Sequence, residues 1–166
     1  MTLDRRTFAL ALSAVVAIGC SDPTGPALTE ENVFVHVDAA TVPLVVADAF
    51  HSLWLTVPLT VTNNSSRTVY MDGYCFATWH RLEAGQWIEV FSFDCEHAEI
   101  YPIAVFPGGS QQVSIGRGVS GPNYPVLDFA LPGTYRLHVA LFLDSRLKKS
   151  AAETLGFSNA FTVLLP

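Results

Sequence analysis

Charge is scarce in this chain. Only 14% of its 166 residues are Asp, Glu, Lys or Arg, while 50% are apolar, which excludes a chain held open by self-repulsion. Positive charge is scarcer still, with 9 Lys plus Arg against 15 Asp plus Glu and a net charge of −6. A surface that tracks phosphates needs clustered cations, so a dedicated nucleic-acid binder is excluded. No apolar run reaches about 18 residues, so nothing reads as a spanning helix. The three cysteines contain no Cys-x-x-Cys pair, which removes the usual spacing of structural zinc, and no Cys-x-x-Cys-His for covalent haem. Gly-x-Ser-x-Gly, a phosphate-cradling glycine loop after a strand and His-Glu-x-x-His are also missing. The expectation is therefore a non-enzymatic chain without a cofactor. Its length suits one domain, and about 150 folded residues bury enough surface for a core.

What is present begins with an address. Arg5 and Arg6 precede Phe8 to Gly19, twelve apolar or small residues with no polar face, and then Cys20. A basic start, a short apolar middle and small residues before a cut form a secretory signal. Twelve helical residues rise about 18 Å, short of a bilayer core of about 30 Å. Ala17-Ile18-Gly19-Cys20 resembles a bacterial lipobox, whose processing enzyme cuts before a lipidated cysteine. Arg5-Arg6-Thr7-Phe8 resembles the twin-arginine export signal. The expected division is a signal at 1–19, a flexible tether at 20–31, rich in Pro and Gly, and a folded domain at 32–166. Loss of Asp4, Arg5 and Arg6 with the leader makes the remainder more acidic. Anionic headgroups would repel it, so membrane contact runs through the lipid on Cys20. The expected location is the periplasmic or outer face of a bacterial membrane.

With Cys20 lipidated, Cys75 and Cys95 remain, in a compartment that permits a disulfide. Tyr74 to Leu82 and Trp87 to Phe93 flank a turn at Glu83-Ala84-Gly85-Gln86. A hairpin centred on Gly85 sets Arg81 against Glu89, Trp79 against Phe91, Ala77 against Phe93 and Cys75 against Cys95. That register predicts a cross-strand bridge worth about 3 kcal/mol. The rival is a metal held around Cys95, Glu96 and His97 with Cys75.

The rest is short segments between turn residues. Val33, Val35 and Val37 alternate with Phe34 and His36. Thr41 to Val46 is broken by Pro43. Leu53, Leu55, Val57, Leu59 and Val61 alternate with polar or bulky neighbours, the strongest strand signal here. Pro58 lies within it and requires a free edge or a bulge. Asn63 to Ser66 is a turn, Gly116 to Pro125 reads as a loop, and Leu147 to Glu153 has the composition of a helical turn. Tyr135, Leu137, Val139, Leu141 and Leu143 form a late alternating strand. Many short strands and no amphipathic helix of ordinary length predict an all-β sandwich or barrel.

The segments Leu59 to Asn64, Gly85-Gln86-Trp87, Phe106 to Ser110, Leu131 to Arg136 and Asn159 to Val163 together resemble a bacterial immunoglobulin-like domain of lipoproteins and cell-surface proteins. The likeness covers about 30–166. It implies an immunoglobulin-like antiparallel β-sandwich of about seven to nine strands, with Leu131, Gly133 and Tyr135 at a tyrosine corner. It carries no catalytic residues. It implies a membrane-tethered module that binds another periplasmic protein or a larger membrane complex. The alternative is a ligand binder, holding a metal near Cys95 and His97 or a carbohydrate on exposed aromatics such as Trp54. His80, opposite Val90 in the expected hairpin, and His138 read as exposed strand residues.

Overall fold

The computed structural model describes residues 26–47, 52–73, 77–92, 101–120 and 132–164. The export residues Arg5, Arg6 and Phe8, the lipidation site Cys20, both candidate bridge cysteines, His97 and Leu131 lie outside them. The described residues are all-β, with eleven strands and one 3-10 turn.

β4 (Ser52–Asn63) is the axis of the first sheet. β1 (Val33–Val37) and β3 (Val45–Ala47) pair antiparallel with successive stretches of one of its edges. β9 (Gly109–Ser120) pairs with the whole of the other. In the second sheet the order is β2 (Thr41–Pro43), β11 (Phe161–Leu164), β10 (Gly133–Val139), β6 (Ala77–Glu83), β7 (Gln86–Ser92). A short ladder of β5 (Val69–Asp72) and β8 (Pro102–Val105) is tied to the segment that follows β10 through reciprocal backbone bonds between Tyr70 and Phe142.

Alternation explains the layers. Val33, Val35, Val37, Leu55, Val57, Leu59, Val61 and Ile115 are the buried side of the first sheet. Val42, Ala77, Trp79, Tyr135, Leu137, Val139, Phe161 and Val163 are the buried side of the second. The Trp79 ring stands edge-on to Tyr135 and Phe161, with centroids 6.2 and 5.9 Å away. Such pairs add about 1 kcal/mol each beyond area burial.

Several expectations change in detail. The strand count exceeds seven to nine because interruptions divide longer runs. Thr41 to Val46 splits at buried Leu44, whose N–H donates to the Leu164 carbonyl. The chain thereby passes from the first sheet (β1) to the second (β2, parallel to β11) and back (β3). β9 continues to Ser120 through the expected loop at Gly116, because the β4 register carries it past Thr56↔Gly116 and Trp54↔Gly118. No helix forms over 147–152. There the Asp144 carboxylate accepts the N–H groups of Arg146 at 2.9 Å and Lys149 at 2.6 Å, and Leu147 takes a positive φ of 54°. The 3-10 turn follows at Glu153–Gly156. Contact with the body starts inside the expected tether, since the Pro26 carbonyl accepts the Ser66 N–H. Pro58 has its free edge: it sits where β1 has ended and β3 has not begun, and its carbonyl accepts the Asp38 N–H.

The hairpin holds the expected register only beyond a bulge. Trp79↔Phe91 and Thr78↔Ser92 pair as expected. Between Trp79 and His80 the register slips, so that His80 faces Glu89 rather than Val90, and Arg81 faces Ile88 rather than Glu89. The cause is the turn. Ala84 and Gly85, with φ of 47° and 83°, form a two-residue type I′ connection between Glu83 and Gln86. A shorter turn than one centred on Gly85 must return one residue, and the bulge does so.

Candidate functional site

The outer face of the second sheet brings together Arg136, His80, His138, Trp87 and Phe157. β10 alternates, so buried Tyr135, Leu137 and Val139 leave Arg136 and His138 outward. Arg136 is the Cα partner of His80, and Leu82 that of Trp87, which brings β7 onto the same face. From the other side the chain after the 3-10 turn lies along β10. The Ser158 N–H donates to the Leu137 carbonyl at 2.8 Å, and the Leu137 N–H donates to Ser158 Oγ at 2.9 Å. Phe157 is thereby set beside His138.

Gly156 makes this approach possible. A Cβ there would stand 2.1 Å from the Val139 carbonyl oxygen and 2.9 Å from the His138 ring. Only glycine allows the turn to press so closely on β10.

Arg136 is held between aromatic rings. Its Cζ lies 4.0 Å from the Phe157 ring centre and 4.7 Å from that of Trp87. Both distances are inside the range of cation–π attraction. Its Nε is buried without a hydrogen-bond partner. Burial also pulls the guanidinium below its ordinary pKa, because the charged form is poorly solvated there. No carboxylate forms a salt bridge with it among the described residues, where the ion pair is Arg81 with Glu83.

The two histidines pack on the same ring. The His138 and Phe157 centroids are 4.6 Å apart, and those of His80 and Phe157 5.5 Å. His138 Nε2–H donates to the Glu153 carbonyl at 2.9 Å, which fixes its tautomer. Burial lowers the His80 pKa, and the charges of Arg136 and His138 push the same way against Glu89 and Glu153. A cleft of about 330 Å³ opens beside Arg136, walled by Phe34 of β1 and Phe157, with Glu30 and Thr154 at its polar margin. The arrangement offers a partly desolvated cation beside aromatic side chains. It suits recognition of a planar anionic group.

Residues singled out in the sequence fall elsewhere. Gly133 opens β10, and Tyr135 is fully buried within it, with its side chain hydrogen-bonded to Arg81. Trp54 is 42% exposed on the outer face of the first sheet, opposite exposed Val45 and side-chain-free Gly118. It lies on a different sheet from Arg136. Among the described residues no group of three His, Cys, Asp or Glu stands close enough to hold a metal ion. No sequence motif marks Arg136, Trp87 or Phe157 as a functional residue. The available signal was the Arg136/His138 alternation, but the partners come from β7 and from the chain before β11.

No family model and no curated protein matches the chain. Solved structures with similar backbones are distant. The alkylpurine DNA glycosylase AlkC of Pseudomonas fluorescens bound to abasic-site DNA shares 13% identity at a TM-score of 0.39, over 80% of this chain and 30% of that one. Structural genomics target SoR45 shares 12% at 0.46, over 82% and 89%. The β-glucosidase EmGH1 of Erythrobacter marinus shares 14% at 0.36, over 79% and 15%. The chain thus spans under a third of the glycosylase and a sixth or less of the glucosidase.

Proposed function

We propose that the chain is a non-enzymatic, lipid-anchored immunoglobulin-like module on the periplasmic or outer face of a bacterial membrane, where it binds another protein of a membrane-associated assembly. The observation that carries this reading is Arg136, in cation–π contact with both Trp87 and Phe157 on the outer face of the sheet. Clustered aromatics around a partly desolvated arginine are the composition of binding hot spots. The strand path supports an immunoglobulin-like domain: the first strand region serves both sheets, and its second part runs parallel to the last strand. The basic leader and Cys20 support the anchor.

The bridge between Cys75 and Cys95 belongs to the same proposal. Its support is that the pairs Trp79↔Phe91 and Thr78↔Ser92 have the register from which the bridge is expected. A Cys75–Cys95 disulfide makes the mature protein two hydrogens heavier on reduction, and free thiols with bound metal would replace it by the metal reading.

Purification from membranes in mild detergent tests the function. The expected result is a mature chain starting at acylated Cys20 with a co-purifying protein that Arg136→Gln releases and Trp54→Ala retains. A solitary chain with its leader uncut contradicts the proposal. Retention of a glycan lost on Trp54→Ala would instead support the carbohydrate reading.

A further inference from the structure

We infer that the cleft between Phe34 and Phe157 binds a carboxylate carried on an apolar body, with the carboxylate received by Arg136 and the body lying between the two rings.

The guanidinium is held by two aromatic rings. Rings at 4.0 and 4.7 Å from Cζ engage the cation by cation–π attraction, which uses none of its N–H donors. Its Nε is buried and has no acceptor, whereas neither Nη is a buried unpaired atom, so the Nη edge is the one that a ligand in the cleft meets. A carboxylate offers two oxygens in a plane and meets a guanidinium edge with two parallel bonds, which a spherical anion does not. The cleft's about 330 Å³ admits on the order of ten heavy atoms. Phe34 and Phe157 give the cleft two aromatic side chains beside Arg136, within a lining that is otherwise mixed, with Glu30 and Thr154. Glu30 at the margin repels negative charge placed away from Arg136. Together these features select a single carboxylate with a hydrocarbon tail over a compact polyanion such as phosphate. The same chemistry occurs in a small organic acid and in the free C-terminus of a peptide ending in an apolar residue.

This inference rests on the reading of the Arg136 face as the binding surface. The two fail separately, because the membrane purification reports a protein partner and the titration below reports the carboxylate.

The test is nuclear magnetic resonance of the full-length chain in detergent micelles. It follows the Arg136 Nε–H, identified by its disappearance in Arg136→Lys, and the Trp87 indole N–H. The probes are 3-phenylpropionate, its amide, acetyl-Ala-Ala-Phe as free acid and as amide, and inorganic phosphate. Both free acids should shift both resonances with saturation, and neither amide should. Arg136→Gln should weaken binding of the acids, read at Trp87, by about 10- to 100-fold. Arg136→Lys, which keeps the charge and loses the fork, should weaken it by about tenfold. Phe34→Ala, a change at an exposed strand position, should weaken it by about tenfold while leaving the spectrum folded. Tighter binding of the peptide acid assigns the site to a chain terminus, and tighter binding of 3-phenylpropionate assigns it to a small acid. Equal response to acid and amide, an equal response to phosphate, or no response up to about 10 mM would each overturn the inference.

Discussion

At the residue scale, the tightest constraint is Asn63. It is completely buried at the end of β4 and uses its side chain fully. Its amide donates to the Arg67 carbonyl at 2.7 Å and the Val105 carbonyl at 2.8 Å, and its Oδ1 accepts the Ser65 N–H and hydroxyl. Asn63→Ala strands several buried partners at once, so the loss should be about 3 kcal/mol, measurable by denaturant unfolding. Gly156→Ala drives a methyl into the Val139 carbonyl and the His138 ring. The turn must lift, and Phe157 must leave Arg136. The expected result is a fall in melting temperature together with loss of the upfield ring-current shift on Arg136 side-chain protons. His80 gives the pH dependence. Burial first, then Arg136 and His138, lower its pKa below the ordinary 6.5, against Glu89 and Glu153. The unfolded chain therefore takes this proton more readily. The stability that His80 supplies is complete above about pH 6.5 and declines as the pH falls. The melting temperature of wild type should drop between about pH 7 and 5, and His80→Phe should flatten that drop.

At the element scale, the β6–β7 hairpin shows how much of this fold was legible. Both strands, their pairing and the Trp79–Phe91 contact follow from aromatic and β-branched runs around one glycine. The slip at Trp79/His80 does not, because it depends on whether the turn has two residues or three, and Ala84 is an unusual choice for a positive φ. Ala84→Asn, which suits a type I′ turn, should stabilise the protein by about 0.5–1 kcal/mol without altering the fold, read by thermal unfolding. β4 was plain from five apolar positions at period two, and Pro58 within it foretold a free edge. The full length of β9 is not legible in the sequence, because glycines at 116 and 118 read as a loop while the pairing with β4 holds them extended. The candidate site was the least legible element. Arg136 and His138 share a face by alternation, but Trp87 and Phe157 reach it through the β10–β6 register and the close approach at Gly156. Neither has a local signal.

At the scale of the whole molecule, the two sheets share a core made by alternation, and each has a different exterior. The first sheet shows Trp54 on its outer side, and the second shows the Arg136 group. The 3-10 turn and the chain after it connect core to site, since Leu155 is buried while Phe157 stands over Arg136. Loss of the core should therefore reach the site. Trp79→Ala empties the aromatic cluster with Tyr135 and Phe161 and should cost about 3–5 kcal/mol in unfolding experiments.

The central claim is that this sandwich works as a tethered surface centred on Arg136. The chain holds two lysines, Lys148 and Lys149, adjacent and exposed, in the segment that runs from β10 toward the 3-10 turn. Amine-directed cross-linking in intact cells therefore reports on what lies near that segment. The account predicts links from this pair to one membrane-associated protein, strong in wild type and largely lost in Arg136→Gln, on a chain whose first residue is acylated Cys20. Links that persist unchanged in Arg136→Gln, or a chain with its leader attached, would contradict it.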